Sequence, residues 1–240
     1  MESYSIFAKV YDDYMADIPY GAWTEGVVSY LGKHGYSGTD MLELGCGTAT
    51  LSIGFAKAGY NVVATDLSAD MLSVARKKTK SCKNIILKQQ DMRALNLSQQ
   101  FPVIVSLCDS VNYMADEEEL AMVFESVKKN LCDGGIFLFD LKKKSFYEEL
   151  SDNVYADEIA KGNYVWENYY DEENLDNFYY ITFYVKSAFG LYKKYVEEHV
   201  QHVFERDTVI DVADKCGFKL KDCFGLQGSE ERDYYVFERK

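Results

Sequence analysis

The sequence has no apolar run long enough to cross a bilayer, which takes about 20 consecutive apolar residues. Its opening residues, Met1-Glu2-Ser3-Tyr4-Ser5, show neither the basic n-region nor the apolar h-region of a secretory leader, so a cytoplasmic protein is expected. Positive charge is scarce. Lys and Arg number 26 against 39 Asp and Glu, a net charge of −13, which argues against broad binding to a phosphate backbone and leaves room only for a local basic groove. None of the six cysteines forms a C-x-x-C pair, so no metal site is expected; Cys46 and Cys108 read as reduced core residues. Internal repeats and low-complexity linkers are absent too. What the chain does have is length and apolar content. Its 240 residues, 48% hydrophobic, supply the core of one α/β domain with an insertion, or of two small domains.

The most informative stretch is Met41-Leu42-Glu43-Leu44-Gly45-Cys46-Gly47-Thr48-Ala49, an apolar strand that breaks into glycines. Helical spacing resumes at Leu51, Ile53, Phe55 and Ala58, giving the order strand, tight turn, helix start. Glycine has no Cβ to hold a ligand away, and a helix N-terminus offers unpaired N–H groups. The dinucleotide pattern G-x-G-x-x-G fails here, because Thr50 holds the third place. Glu43 would repel a pyrophosphate. S-adenosylmethionine (SAM) brings an ammonium and a sulfonium instead, and a carboxylate attracts both. The next strand, 61–65, ends at Asp66, 19 residues past Gly47, where a carboxylate can accept ribose hydroxyls.

Residues 4–31 have helical spacing interrupted at Pro19 and Gly21. Tyr11 and Tyr14 either pack this segment on a sheet or face the sulfonium from a lid, where cation–π attraction is worth about 0.5–2 kcal/mol; Tyr30 is expected to pack. Strands are predicted at 41–44, 61–65, 84–88, 103–107 and 136–139, with helices at 69–79 and 116–130 between them. Such alternation predicts parallel βαβ units in a doubly wound α/β sheet, with ligands at the carboxyl ends of the strands. Glu43, Asp66, Asp91 and Asp109 fall at those ends, so four carboxylates are expected to face one crevice.

The texture changes after residue 144. Nine of the 20 tyrosines lie between Tyr155 and Tyr195. Strands at 163–170, 179–185 and 191–204, with a turn at 187–190, predict an inserted antiparallel β meander. It would cover the crevice or serve as a homodimer surface. A helix at 205–216 and strands at 218–224 and 233–239 would complete a seven-stranded, mostly parallel sheet. The expected organisation is a cofactor-binding core of residues 1–144 and 205–240, with an N-terminal helical lid, and an insertion of residues 145–204.

With Glu43, Gly45, Gly47 and Asp66 at these spacings, the chain resembles the class I SAM-dependent methyltransferases over roughly 36–140 and 205–239, the specific motifs lying within 41–112. The resemblance implies that the turn with Glu43, Gly45, Cys46 and Gly47 holds the methionine part of SAM; Ala49 stands where the family has its last glycine. It implies Asp66 on the ribose, Leu67 and Met71 on the adenine side, Asp91 at the adenine amino group and Met92 beside the ring. Gly134-Gly135 is similar to the family's turn into strand five, with Asp133 where proline is usual. Ala8 to Tyr14 and Tyr20-Gly21-Ala22-Trp23 also resemble the N-terminal segment of glycine N-methyltransferase-type enzymes. Leu107-Cys108-Asp109-Ser110-Val111-Asn112-Tyr113 is similar to their loop after strand four, with Asp109 in place of an asparagine. That implies contact of Tyr11 with SAM and of the loop with substrate. The chain is similar, further, to small bacterial methyltransferases of unassigned substrate.

Methyl transfer asks the protein mainly to align and desolvate. An amine acceptor needs no strong base, whereas oxygen or carbon would. Asp109, Tyr113 and Tyr14 are the candidate catalytic groups, with His199 and His202 also considered. The segment 109–113 lacks the D/N-P-P-Y pattern of adenine and glutamine N-methyltransferases, and Cys108 lacks the preceding proline of cytosine C5 enzymes. The expectation is methyl transfer from SAM to a small-molecule N or O acceptor. Two other readings stay open. One is an RNA-modifying enzyme that uses the basic clusters Arg76-Lys77-Lys78 and Lys142-Lys143-Lys144. The other is a non-catalytic SAM-binding module whose insertion contacts a partner.

Overall fold

The computed structural model describes residues 3–36, 39–187 and 189–240, and the side chains from residue 7 onward within them. The turn expected at 187–190 includes residue 188, outside the described residues. The chain opens with helices α1 (Ser3–Tyr14) and α2 (Tyr20–Lys33), separated at Pro19. Then come β1 (Asp40–Leu44), α3 (Thr50–Lys57), β2 (Asn61–Asp66), α4 (Ala69–Lys78), β3 (Ile85–Gln89), β4 (Phe101–Ser106), α5 (Glu117–Asn130) and β5 (Leu131–Lys142). A short helix α6 (Lys144–Leu150) leads to β6 (Val154–Ile159), β7 (Gly162–Asp171), β8 (Asp176–Lys186) and β9 (Tyr192–His202). The chain closes with α7 (Arg206–Lys215), β10 (Phe218–Phe224) and β11 (Arg232–Arg239).

The first sheet has seven strands in the order β10-β11-β5-β4-β1-β2-β3. Its pairs from β5 to β3 are parallel, and β11 runs antiparallel to both of its neighbours. The central strands are apolar almost throughout because both faces are covered. On one face Leu42, Ile104 and Phe137 pack with Phe124 and Val127 of α5 and Val209 and Val212 of α7. On the other, Met41, Val103 and Ile136 pack with Trp23, Val27 and Leu31 of α2, Phe55 of α3 and Leu72 of α4.

The second sheet is a four-stranded antiparallel meander, β6-β7-β8-β9. Three strands were legible in the sequence and β6 was not: five of its six residues are exposed, so no apolar alternation marks it. β5 runs from Leu131 to Lys142, well beyond the expected 136–139. Register fixes the faces. Trp166 opposes Ile181, Tyr179 opposes His199, and Asn177 opposes Gln201, so these side chains share the inner face. Phe7 and Val10 of α1 pack there with Tyr179, Ile181 and Phe183. Tyr169, Tyr180, Tyr184 and Val200 are exposed on the outer face. Asn112, just past β4, ties the layers together: its amide donates to the His202 carbonyl at 2.9 Å and accepts from the Lys142 N–H at 3.1 Å.

Candidate functional site

A cavity of about 1250 Å³ lies between the carboxyl ends of β1, β2 and β4, helix α1 and the inner face of the meander. The turn after β1 forms one end. Gly45 has φ +67, and a Cβ there would collide with the Ser110 hydroxyl at 2.5 Å. Gly47 has φ +53, and nothing stands within 4 Å of where its Cβ would lie. Backbone is therefore bare at the cavity wall, as a closely held ligand requires. Ala49 also takes a left-handed conformation, φ +66, as the residue before α3, at the position where the methyltransferase pattern carries glycine.

The predicted cofactor residues separate into two groups. Tyr11, Gly45, Gly47, Asp66, Leu67, Met71, Asp91 and Met92 all line the cavity, as do Asp109, Tyr113 and Tyr14. Glu43 and Cys46 are not among the lining residues. Three of the four strand-end carboxylates converge, not four. Glu43 lies inside β1, 2% exposed, and accepts a hydrogen bond from the Ser52 hydroxyl of α3. The reason is strand geometry: residues 42 to 44 lie in the sheet interior, and the wall begins only where the chain leaves the strand at Gly45. Burial pushes the Glu43 carboxyl up to about 8, against the Ser52 hydrogen bond, which lowers it.

Asp66 is held by two backbone donors, Gly47 N–H at 2.7 Å and Ser68 N–H at 2.8 Å, so its carboxylate braces the glycine turn from the end of β2. Burial raises its pKa and these bonds oppose the rise. Asp91 faces Arg93, whose N–H and guanidinium donate to it at 2.7–3.2 Å and lower its pKa.

Beyond β4 the backbone is strained. Cys108 and Asp109 are consecutive non-glycine residues at φ +61 and +54, an arrangement that surrounding contacts must hold in place. The holding groups are a buried ion network. Asp109 accepts from Gln201 Nε2 at 2.6 Å and pairs with Lys142 Nζ at 3.1 Å and Arg232 at 3.2 Å; its N–H donates to Asp140 at 3.2 Å. Arg232 also pairs with Asp140 and lies 4.3 Å from the Trp23 ring centre. Burial works to raise the Asp109 pKa, but Lys142 and Arg232 outweigh it and hold the carboxylate well below its usual range. A carboxylate so paired is a poor proton acceptor. Sequence reasoning missed Arg232, Asp140 and Gln201. Asp140 directly follows the apolar run 136–139, the same signal that marked Asp66; Arg232 and Gln201 carry no comparable signal.

Tyr113 and His199 meet at the cavity wall. The Tyr113 hydroxyl is 3.4 Å from His199 Nδ1, and His199 Nε2 is buried without a hydrogen-bond partner. Burial lowers the His199 pKa, so the ring is neutral at pH 7, and it raises that of Tyr113, which stays a neutral phenol although part of its ring is open to the cavity. His202 points to the opposite face and accompanies Asp176 at 2.8 Å. Tyr14 stacks edge-on with Tyr164 at 4.8 Å.

A glycine-bared turn at the end of β1, a braced carboxylate at the end of β2 and an aromatic cover define a nucleoside-type crevice at the switch point of a doubly wound sheet. The family model for the methyltransferase domain matches residues 41–135. "Putative methyltransferase YqeM" of Bacillus subtilis (strain 168) is 33% identical over 219 residues, covering 90% of this chain and 87% of that protein. A crystal structure of a SAM-dependent methyltransferase from Clostridium acetobutylicum ATCC 824 superposes with a TM-score of 0.84 at 27% identity, covering 98% of each chain. The dTDP-3-amino-3,4,6-trideoxy-α-D-glucopyranose N,N-dimethyltransferase of Streptomyces venezuelae is 33% identical over 102 residues, 42% of each chain. The chain belongs to the class I SAM-dependent methyltransferases, and its cofactor is SAM.

Proposed function

We propose that the protein transfers the methyl group of SAM to a nitrogen of a small-molecule amine. The observation that carries this reading is the pairing of Tyr113 with a neutral His199 at the cavity wall, where the nearby strand-end carboxylate, Asp109, is locked by Lys142 and Arg232. With that carboxylate committed to cations, the pair beside it suits an acceptor that needs only a weak base, as an ammonium does to lose its proton. The name of the Streptomyces venezuelae relative, an N,N-dimethyltransferase, supports an amine acceptor.

Gly45, Gly47, Asp66, Leu67, Met71, Asp91, Met92 and Tyr11 would hold SAM, with Glu43 and Cys46 supporting the turn from beneath. When bound, SAM supplies a methyl on a positively charged sulfur, already activated for displacement. Tyr113 would touch the acceptor nitrogen and receive its proton while passing its own to His199 Nδ1. Tyr14, with the other rings of the wall, would exclude water. Residues 1–144 and 205–240 would form the cofactor-binding core and residues 145–204 the insertion that contacts the acceptor.

Pairing within the two basic clusters weighs against the RNA reading. Lys142 is buried against Asp109, Lys143 pairs with Asp233, Lys144 with Glu148 and Glu172, and Lys78 with Asp12. The test of the proposal is calorimetric titration with S-adenosylhomocysteine (SAH), followed by labelled methyl transfer from SAM to panels of amines and alcohols. SAH binding with transfer to amines supports it. Transfer to alcohols alone would sink it.

A further inference from the structure

The charge balance of the cavity bears on the body of the acceptor as well as its nitrogen. Three cationic side chains line it, Arg93, Lys142 and Arg232. Arg93 is engaged by Asp91 and Glu119, Lys142 by Asp109, and Arg232 by Asp109, Asp140 and Glu231. Lys142 and Arg232 are also nearly closed off, with side chains 13% and 4% exposed. Among the described lining residues, then, every lysine and arginine is already committed to carboxylates. Asp17 and Asp70 add two further acids to the wall.

A phosphate placed here would leave water and find no free cation. Phosphate groups are held by charge-assisted bonds from arginine, lysine or a helix N-terminus, and burying an anion without such partners is costly. Much of the remaining wall is aromatic. Tyr14 and Tyr164 meet at 4.8 Å, and Trp166 and Tyr179 at 5.5 Å. Faces of this kind attract ammonium groups and apolar bodies.

We infer that the acceptor is a phosphate-free amine with an apolar or aromatic body, held against Tyr14, Tyr164, Trp166 and Tyr179. This rests on the amine reading of the site and narrows it. It also separates this chain from the nucleotide-linked sugar named for the Streptomyces venezuelae relative, whose diphosphate would meet no uncommitted lysine or arginine among the described lining residues.

The test uses the full chain loaded with SAH and two probes: benzyltrimethylammonium, an aromatic quaternary ammonium, and dTDP, a nucleoside diphosphate. Both tryptophans of the chain, Trp23 and Trp166, line the cavity, so intrinsic fluorescence reports occupancy and calorimetry confirms it. The ammonium is expected to bind at least about tenfold more tightly than dTDP, a difference of about 1.4 kcal/mol. Trp166→Leu and, separately, Tyr164→Leu should each weaken the ammonium about fivefold or more, with SAH affinity unchanged as the control for folding. Binding of dTDP equal to or tighter than that of the ammonium overturns the inference, and so does absence of ammonium binding. Methylation of phosphate-bearing amines in preference to matched phosphate-free ones overturns it while leaving N-methylation standing. Transfer to alcohols alone removes the parent reading.

Discussion

Glu43, beneath the cavity wall, and Asp109, at its surface, are both buried carboxyls, and their surroundings push them in opposite directions. Glu43 has one hydroxyl partner and no cation, so burial dominates and its pKa rises to about 8. Its unfolded value is about 4.3, so the folded state without cofactor binds the proton more tightly. Stability should therefore fall as pH rises from about 4 to about 8 and change little from this group beyond. Asp66, also raised, acts in the same sense. Glu43→Gln removes the Glu43 contribution: thermal midpoints of the variant and the parent should be close at pH 5, and the variant should be the more stable at pH 9. His199 gives the second residue-scale prediction. His199→Gln is expected to lower kcat for an amine about 100-fold. The KM for SAM should not change, and the deficit should shrink as pH rises toward the amine's own pKa, where no proton acceptor is needed. A pH-independent deficit would reduce His199 to a packing residue.

At the scale of elements, α1 is tied to the glycine turn by one cluster. Asp12 of α1 accepts from the Thr48 hydroxyl at 2.5 Å and pairs with Lys78 Nζ at 2.8 Å; Lys78, at the end of α4, also donates to Thr48 and Thr50 at 2.9 and 2.8 Å. Helix α1, the glycine turn and the following βα unit thus share one set of hydrogen bonds. Asp12 is partly solvated, so the expected cost of Asp12→Ala is about 1 kcal/mol, roughly fivefold in SAH affinity. Faster hydrogen exchange across α1, with the central strands unchanged, would accompany it; unchanged exchange would show that the aromatic packing of Phe7 and Val10 holds α1 without the cluster.

Across the whole molecule the net charge is −13, and Lys78, Lys142, Lys143 and Lys144 of the two basic sequence clusters are each paired with carboxylates. Purified protein is expected not to be retained on immobilised tRNA even at about 50 mM salt, where counterion release favours binding most. Retention that weakens steeply with added salt would restore the RNA reading. Among the described residues no helix is long and apolar enough to cross a membrane.

Much of the core could be read along the chain because its signals are local. A glycine turn needs its glycines in place, a buried parallel strand needs an uninterrupted apolar run, and an acid directly after such a run falls at a strand end. Those local requirements settled the seven-stranded sheet, the cofactor and the cavity positions of Gly45, Gly47, Asp66 and Asp91. The end of the cavity beneath the meander depends on contacts between distant segments, which leave no local trace. Asp109, Asp140, Lys142, Gln201 and Arg232 come from three strands and a loop, and they meet only because β11 inserts beside β5 and the meander folds back over α1. Tertiary structure alone therefore decided that Glu43 lies beneath the wall, that Asp109 is paired with Lys142 and Arg232, and that His199 faces the cavity while His202 faces away. The physical reason is that burial and pairing set what a charged side chain can do, and neither is a property of its neighbours in sequence.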